Sequence, residues 1–544
     1  MCKPSDTEKT AVPSLDLAQH PEAPKVKSRV FTQTLACLAA SQATMAAGAV
    51  NGWTAGTLPS LDKDPDIEMG TWQQAWVVGI IAMGAIVGST VSGRAIDWLG
   101  RRTTMLIVSP VALIGWLTVA LAPNLAVVLT GRAICGLATA FLFSAPTVYN
   151  SEVTEARMRG RLGTLSSLFI TFGVVLSYMA GALFSWRISC YICAAPPLTT
   201  FGAMLFVPES PYWLMLKSRK NDAIASLKWL RGPNCDLTEE MSEMEAKIVS
   251  VGRKMEYREL WRSRTRKPFL LSLFMMTLQQ VCGGNILMMY TGTIFISAGV
   301  VDYNMATVYT GLVQILGTVL SVLMVDHAGR RPMIVVSTGI MGTTTVLLGV
   351  YYYLTDVEGV SWPSFVPLTT VLLAVFGYCL GCRTIPWLLS AELFNTTIRS
   401  TASAVGLFYN RILNFAVIQI YPYFLEEAGA HMVFFVHGGF SLICCLISLI
   451  YLPETKGKSL EQIQEYFENQ AIKTSGHKVD EINNMKTECS NDVPKESGKS
   501  ISKVPVENLT VLIVNCAIEE PDKDVSTLSD KDEITNKNIT ESLK

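Results

Sequence analysis

Residues 93–102 read GRAIDWLGRR, from Gly93 to Arg102. This short basic stretch lies between long runs that carry no charge. A second version, DHAGRRP, occupies residues 326–332. Two such loops in a chain built of apolar runs point to a membrane protein made of two related halves.

The composition fits that reading. Half of the 544 residues are apolar and only 16% are charged, whereas soluble domains carry about a quarter charged residues. The charges gather at the ends and in a few loops, so the net charge of −1 hides a strong segregation. A bilayer core needs about 20 consecutive apolar residues per helix. Twelve runs qualify: 31–58, 72–93, 103–122, 125–149, 162–184, 188–207, 268–298, 304–325, 332–353, 363–390, 400–424 and 430–452. The expected fold class is an all-α membrane protein with twelve transmembrane helices in two six-helix halves. The domains are then a cytoplasmic N-terminus (1–30), a first half (31–207), a helical loop (208–267), a second half (268–452) and a largely disordered tail (453–544) that starts as a helix near 460–468. No cleaved signal peptide is expected, because the first apolar run is long and lacks a cleavage site.

Basic residues set the orientation. Arg94, Arg101 and Arg102 follow span 2, Arg157, Arg159 and Arg161 follow span 4, and basic residues of 217–267 follow span 6. Arg330 and Arg331 follow span 8, and Arg399 follows span 10. The alternate loops, at 62–68, 356–358 and 426–427, are acidic. The positive-inside rule places both termini in the cytoplasm. The N-x-T sequons at Asn508 and Asn538 then lie where glycosylation does not reach.

Several function classes are disfavoured. No Walker sequence or Rossmann glycine pattern occurs, and no nucleophile–base constellation stands out, so an enzyme is not expected. The basic residues of 253–267 suit lipid headgroups rather than nucleic acid. Cys379 and Cys382 form a CxxC, and Cys444 and Cys445 are adjacent, but all four lie in apolar runs. They read as small apolar helix residues, with no metal and no cofactor.

The two halves match in order. Asp97-x-x-Gly100-Arg101-Arg102 corresponds to Asp326-x-x-Gly329-Arg330-Arg331, an offset of 331 − 102 = 229. Glu152 with Arg159 corresponds to Glu392 with Arg399, both pairs seven apart and offset by 392 − 152 = 240. Pro208-Glu209-Ser210 corresponds to Pro453-Glu454-Thr455, offset by 454 − 209 = 245. This is the parallel repeat of the major facilitator transporters.

Over residues 30–470 the chain resembles the sugar porters of the facilitative glucose transporter family. The motifs that carry the resemblance are GRAIDWLGRR, Glu152 with Arg159-Gly160, PESPYWL at 208–214, QQVCGGN at 279–285, DHAGRRP, IPWLLSAELF at 385–394 and PETKG at 453–457. Gly52-Trp53-Thr54 is similar to the trehalose-transporter-like branch of that family.

Charge chemistry and the resemblance together suggest a gate. Glu152 and Glu392 are expected to pair with arginines of the adjacent loops, because the guanidinium fork matches a carboxylate. Arg94, Asp97, Arg101, Arg102, Arg159 and Glu209 form the first cluster. Asp326, Arg330, Arg331, Arg399 and Glu454 complete the second. The resemblance implies that such clusters hold the halves together on the cytoplasmic side while the site faces outward.

The substrate site belongs near the midplane between the halves. Gln279, Gln280 and Asn285 of span 7 are uncharged amides that can match hydroxyl groups; alternatively they tie helices together. By resemblance Ser167, Gln314, Trp387, Asn410 and Asn414 join them, with Trp387 offering a ring face. The chain departs from the family pattern at Ser167, Gln314, Cys379 and Arg411. Arg411, twelve residues past Arg399, stands about 18 Å along the helix. A mid-membrane arginine should face a cavity or an acid, and the spans offer no acid. Arg383 also lies within span 10. Proton-coupled relatives carry an aspartate where this chain has Val50, which implies uniport.

The expected function is facilitated uniport of a sugar, trehalose or a hexose, by alternating access at the plasma membrane, with the sugar and the lipid bilayer as partners and no role for nucleic acid. The rival readings are a transporter of a non-sugar, anionic organic solute and a sugar sensor that does not transport. Arg132, in span 4, either pairs within its half or takes part in gating.

Overall fold

A computed structural model describes residues 29–155, 157–235, 237–250, 261, 263–360, 362–394, 396–458, 462 and 465–467. Residues 1–28 of the expected cytoplasmic N-terminus, all but four residues of the helix near 460–468, and the tail beyond it lie outside them. So do the side chains of Arg159 and Arg399. The described residues all belong to the first of two compact units, Met1–Ile472.

Among the described residues the chain is helical throughout. The first half contains α1 (Val30–Asp62), α2 (Thr71–Leu99), α3 (Arg101–Ala120), α4 (Leu125–Val153), α5 (Arg159–Leu183) and a rod made of α6 (Trp186–Cys193) and α7 (Ala195–Leu205). Three short helices follow: α8 (Pro211–Leu216), α9 (Lys220–Arg231) and α10 (Thr238–Ser250). The second half opens with a broken rod of α11 (Ser263–Val281), α12 (Gly284–Met289) and α13 (Thr291–Ser297). Then come α14 (Tyr303–Ala328), α15 (Arg330–Tyr352), a rod of α16 (Phe365–Gly377) and α17 (Ile385–Glu392), and α18 (Thr396–Tyr451).

Nine helices are long and apolar enough to cross a membrane among the described residues. The last of these breaks at Gly429, where φ is 78°, and so contains two rods. The remaining two expected spans fall short for a physical reason. The broken rod has no uninterrupted apolar length, and α1 is rich in Ala, Gly, Thr and Ser because it packs against protein rather than lipid. Gly48, Gly52 and Gly56 form a ladder against α5. A Cβ on Gly48 would lie 2.0 Å from the Ile170 carbonyl oxygen, and one on Gly173 of α5 would lie 2.0 Å from that of Met45. Such close backbone approach is how membrane helices associate without a hydrophobic driving force.

The loop helices dock on the first half. Arg231, buried at the end of α9, pairs with Glu240 at 2.7 Å and Glu155 at 3.5 Å. Its Nη1 also donates to the Val153 carbonyl at 2.8 Å. Thr32 Oγ1 of α1 donates to the Leu230 carbonyl at 2.8 Å.

Contacts between the halves collect at the acidic end and the middle. Trp72 meets Tyr423 with ring centroids 5.7 Å apart, and Trp76 meets Phe415 at 6.1 Å. A Cβ on Gly292 of α13 would lie 2.3 Å from the Ala55 carbonyl oxygen of α1. Thr171 Oγ1 and Thr318 Oγ1 are 3.3 Å apart. At the other, basic end every ion pair among the described residues joins two groups of the same half or its loop helices.

Candidate functional site

The helices α2 and α3 meet at Gly100, and α14 and α15 meet at Gly329. Both glycines take positive φ, 101° and 93°, a conformation that a side chain would strain. The sharp turn brings each following helix N-terminus against a carboxylate. Glu209 accepts from the Arg101, Arg102 and Thr103 amides at 3.0, 2.9 and 3.2 Å. Glu454 accepts from the Arg330 and Arg331 amides, each at 3.0 Å. These acids cap helices rather than binding guanidinium groups, and they offset the positive helix end. Burial alone would raise the Glu454 pKa, but the Lys456, Arg330, Arg331 and Thr455 amides hold it below the usual glutamate range.

The ion pairs repeat as closely. Arg101 reaches Glu152 at 2.9 Å and Asp97 at 3.2 Å. Arg330 reaches Glu392 at 2.9 Å and Asp326 at 3.3 Å. Each guanidinium also donates Nη1 to a carbonyl of the preceding helix, Ile96 or Val325, at 3.2 Å. A hydroxyl binds each glutamate from below, Ser210 on Glu152 and Thr455 on Glu392, the latter at 2.7 Å.

The second arginine of each loop does something else. Arg102 donates to the Met204 and Leu205 carbonyls at 2.9 and 3.0 Å, satisfying the end of α7. Arg331 likewise binds the Leu449 carbonyl of α18. Both were expected in the carboxylate clusters; they are instead C-terminal caps of the sixth and twelfth rods. Arg94 is exposed and makes no ion pair among the described residues.

A cavity of about 330 Å³ lies between the halves, small for ligand sites, which run from about 300 to 1,000 Å³. Its lining extends to Thr147 and Gly163, within two turns of the basic-end termini of α4 and α5, so it faces that end. Of the expected residues, Ser167, Gln279, Gln280, Asn285, Trp387, Asn410, Asn414 and Arg411 line it, as does Arg383. Gln314 does not. It stands behind the wall, donating to the Tyr178 hydroxyl at 3.1 Å, and that hydroxyl donates to the Met288 carbonyl at 2.5 Å.

The amides form one network. Asn410 Nδ2 donates to Gln279 Oε1 at 2.9 Å, and Gln279 Nε2 to the Arg383 carbonyl at 2.7 Å. Gln280 Oε1 accepts from both Asn285 and Asn414, at 2.7 and 2.9 Å. The Tyr378 hydroxyl donates to Asn285 Oδ1 at 3.1 Å. Gln280 and Asn285 were expected on one continuous helix, but Gly283, at φ 82°, separates α11 from α12 between them. The break turns Asn285 back onto Gln280. Tyr378 opens a π-helical turn at residues 378–382, an irregularity that recurs at functional sites. Tyr178 and Tyr378 escaped the sequence reading. The available signal was a tyrosine in an apolar helix, whose hydroxyl must find a partner when buried.

Arg132 is fully buried and resolves to its own half. It donates to the Val77 and Val50 carbonyls at 3.2 and 3.3 Å and lies 4.9 Å from the Trp53 ring centroid. Among the lining residues of the cavity no aspartate or glutamate occurs.

Comparison with known proteins places this geometry. Residues 32–467 match the family described as sugar (and other) transporter. A facilitated trehalose transporter of Apis mellifera ligustica is 30% identical over 84% of this chain and 92% of its own length. One from Bombyx mori is 32% identical over 80% and 86%. The xylose transporter XylE from E. coli, in an inward open conformation, superposes with a TM-score of 0.67 at 21% identity, covering 79% of this chain and 98% of that one. The fold is therefore that of the major facilitators, and the chain is a multi-pass membrane protein and not an enzyme. The chain belongs to the sugar (and other) transporter family, in its trehalose-transporter-like branch.

Proposed function

We propose that the protein carries a sugar, trehalose or a hexose, across the plasma membrane by facilitated uniport. The observation that carries this reading is the cavity wall of amides and tyrosine hydroxyls between the halves. Such groups donate and accept, so they exchange partners with sugar hydroxyls without desolvating a charge on the sugar. Ser167, Gln279, Gln280, Asn285 and Asn410 contact the substrate, Trp387 offers its ring face, and Gln314 positions Tyr178. The small cavity favours a hexose over a disaccharide in this state, whereas the relatives are described as trehalose transporters.

Uniport is supported by the surroundings of Arg132. Its partners are two carbonyls and a ring, with Val50 where a coupling carboxylate would stand. Without a titratable acid in the path a proton has no carrier.

The basic end faces the cytoplasm, and both termini lie there, by the excess of arginine and lysine. The described state is then inward-facing, closed at the acidic end. The two arginine–glutamate clusters brace the helix ends within each half. Uptake of labelled trehalose and glucose into oocytes, with and without a proton gradient, tests this reading. Equal uptake of either sugar in both conditions is expected. Uptake that vanishes when the gradient collapses refutes uniport, and binding without uptake identifies a sensor.

A further inference from the structure

The two charged residues that line the cavity are both arginines. Arg383 and Thr384 stand one turn before Trp387 on the tenth rod, and all three line the wall. Arg411 faces the same cavity from α18, next to Asn410, whose amide is committed to Gln279. Neither guanidinium meets a carboxylate among the described residues. The side-chain contact of Arg383 is a weak one, 4.0 Å from Nη1 to the Cys379 sulfur. Arg411 Nε is buried with no hydrogen-bond partner.

This arrangement is costly for a site that takes only neutral solute. A buried cation is normally paired with an acid or solvated in a cavity. Arg132, the buried arginine that serves structure, sets Nε and Nη1 on two carbonyls and its guanidinium over an aromatic ring, leaving only Nη2 without a partner. Among the described residues Arg383 and Arg411 make no such carbonyl or ring contacts, and both line the cavity between the halves. A guanidinium binds an oxyanion through parallel N–H donors, and the pairing strengthens away from bulk water.

We infer that the cavity takes a sugar carrying one oxyanion group, a hexuronate or a sugar phosphate, with Arg383 and Arg411 on the anion and the Gln279–Gln280–Asn285 wall on the hydroxyls. This rests on the transport reading above and narrows its substrate. The anion supplies the missing counter-charge, and the amide wall distinguishes a carbohydrate from a simple organic acid.

The test is uptake by the full-length protein in liposomes of labelled glucuronate, glucose 6-phosphate, glucose and acetate at equal concentration. At least one sugar anion should enter ten or more times faster than glucose, and an inside-positive potential should accelerate it while leaving glucose uptake unchanged. The other sugar anion then shows whether carboxylate or phosphate is the group recognised. Arg411→Gln and Arg383→Gln should each lower the anion-to-glucose ratio at least tenfold, whereas Arg411→Lys, which keeps the charge, should retain the preference. Glucose uptake with no uptake of either anion overturns the inference and leaves sugar transport standing. No uptake of any sugar overturns the transport reading itself. Acetate uptake equal to that of the sugar anions overturns the assignment of a carbohydrate. The comparison of substrates needs only the unmutated protein, so a variant that fails to fold does not shield the inference.

Discussion

The two basic-end clusters are nearly the same object built twice, and they differ in what covers them. Arg101 and Glu152 are 5% and 12% exposed, whereas Arg330 and Glu392 are 12% and 23% exposed. The shared ion-pair distances repeat almost to the tenth of an ångström, while Arg101 grips both oxygens of Glu152 and Arg330 only one of Glu392. The difference comes from residues 208–231. After Ser210 the first half continues into α8 and α9, and Trp213 Nε1 donates to the Asp97 carbonyl at 2.9 Å, closing over the loop. Tyr149 also ties α4 to the Pro208 carbonyl at 2.8 Å. After Thr455, Lys456 Nζ reaches the His327 carbonyl at 2.6 Å, and no described helix covers the loop as α8 does in the first half. The same interaction therefore sits in a drier place in the first half, where a lost partner costs more.

The largest effect should follow from Glu152→Ala, which leaves Arg101 buried without its main partner. A destabilisation of about 3–5 kcal/mol is expected, seen as a large drop in the unfolding temperature in detergent. Glu392→Ala should cost clearly less, because water can reach Arg330. Equal losses for the two would show that the linker cover does not matter. Next comes Trp213→Ala, which uncovers the first cluster. It should shrink the gap between the Glu152→Ala and Glu392→Ala effects, measured as a double-mutant cycle. Smaller again are Glu209→Gln and Glu454→Gln, each weakening a helix cap by about 0.5–2 kcal/mol.

The smallest effect is on pH. The Glu454 pKa lies below the usual glutamate value of 4.5. A carboxyl depressed on folding adds stability above its unfolded pKa and loses it as pH falls through the folded one. The Glu454 contribution should be intact above pH 4.5 and fade below it. A Glu454→Gln variant should show a flatter acid titration of stability than the unmutated protein.

The clusters were legible in the sequence because their chemistry is local. Gly100 and Gly329 must turn, Asp97 and Asp326 stand one helical turn before an arginine, and the acids recur at matching offsets. Which arginine of each pair meets the acid was not legible. Adjacent helix residues point about 100° apart, and only the position of α4 or α17 selects Arg101 or Arg330. The cavity was partly legible. The amides of α11 announce themselves as polar groups in an apolar run. The break at Gly283, and the tyrosines that complete the network, depend on how separate helices meet. Gln314 was misplaced by one layer for the same reason: the sequence marks it as buried and polar, while the packing of α5 decides that Tyr178 stands in front.

A functional contrast complements the structural one. Val50→Asp would set a carboxylate beside Arg132; on the uniport reading, sugar uptake measured across a pH series should become pH-dependent in this variant and stay pH-independent in the unmutated protein.

The most direct test of the gate is a distance across the basic end. Spin labels introduced by Arg157→Cys and Ala328→Cys, exposed positions on opposite halves, report how far apart the halves stand. In the protein with both clusters intact, the account predicts two populations, a long distance for the state described here and a short one for the closed cytoplasmic side. Adding Glu152→Ala or Glu392→Ala should deplete the short population. A distance distribution unchanged by both substitutions would contradict the claim that bracing the helix ends within each half supports closure of the cytoplasmic side.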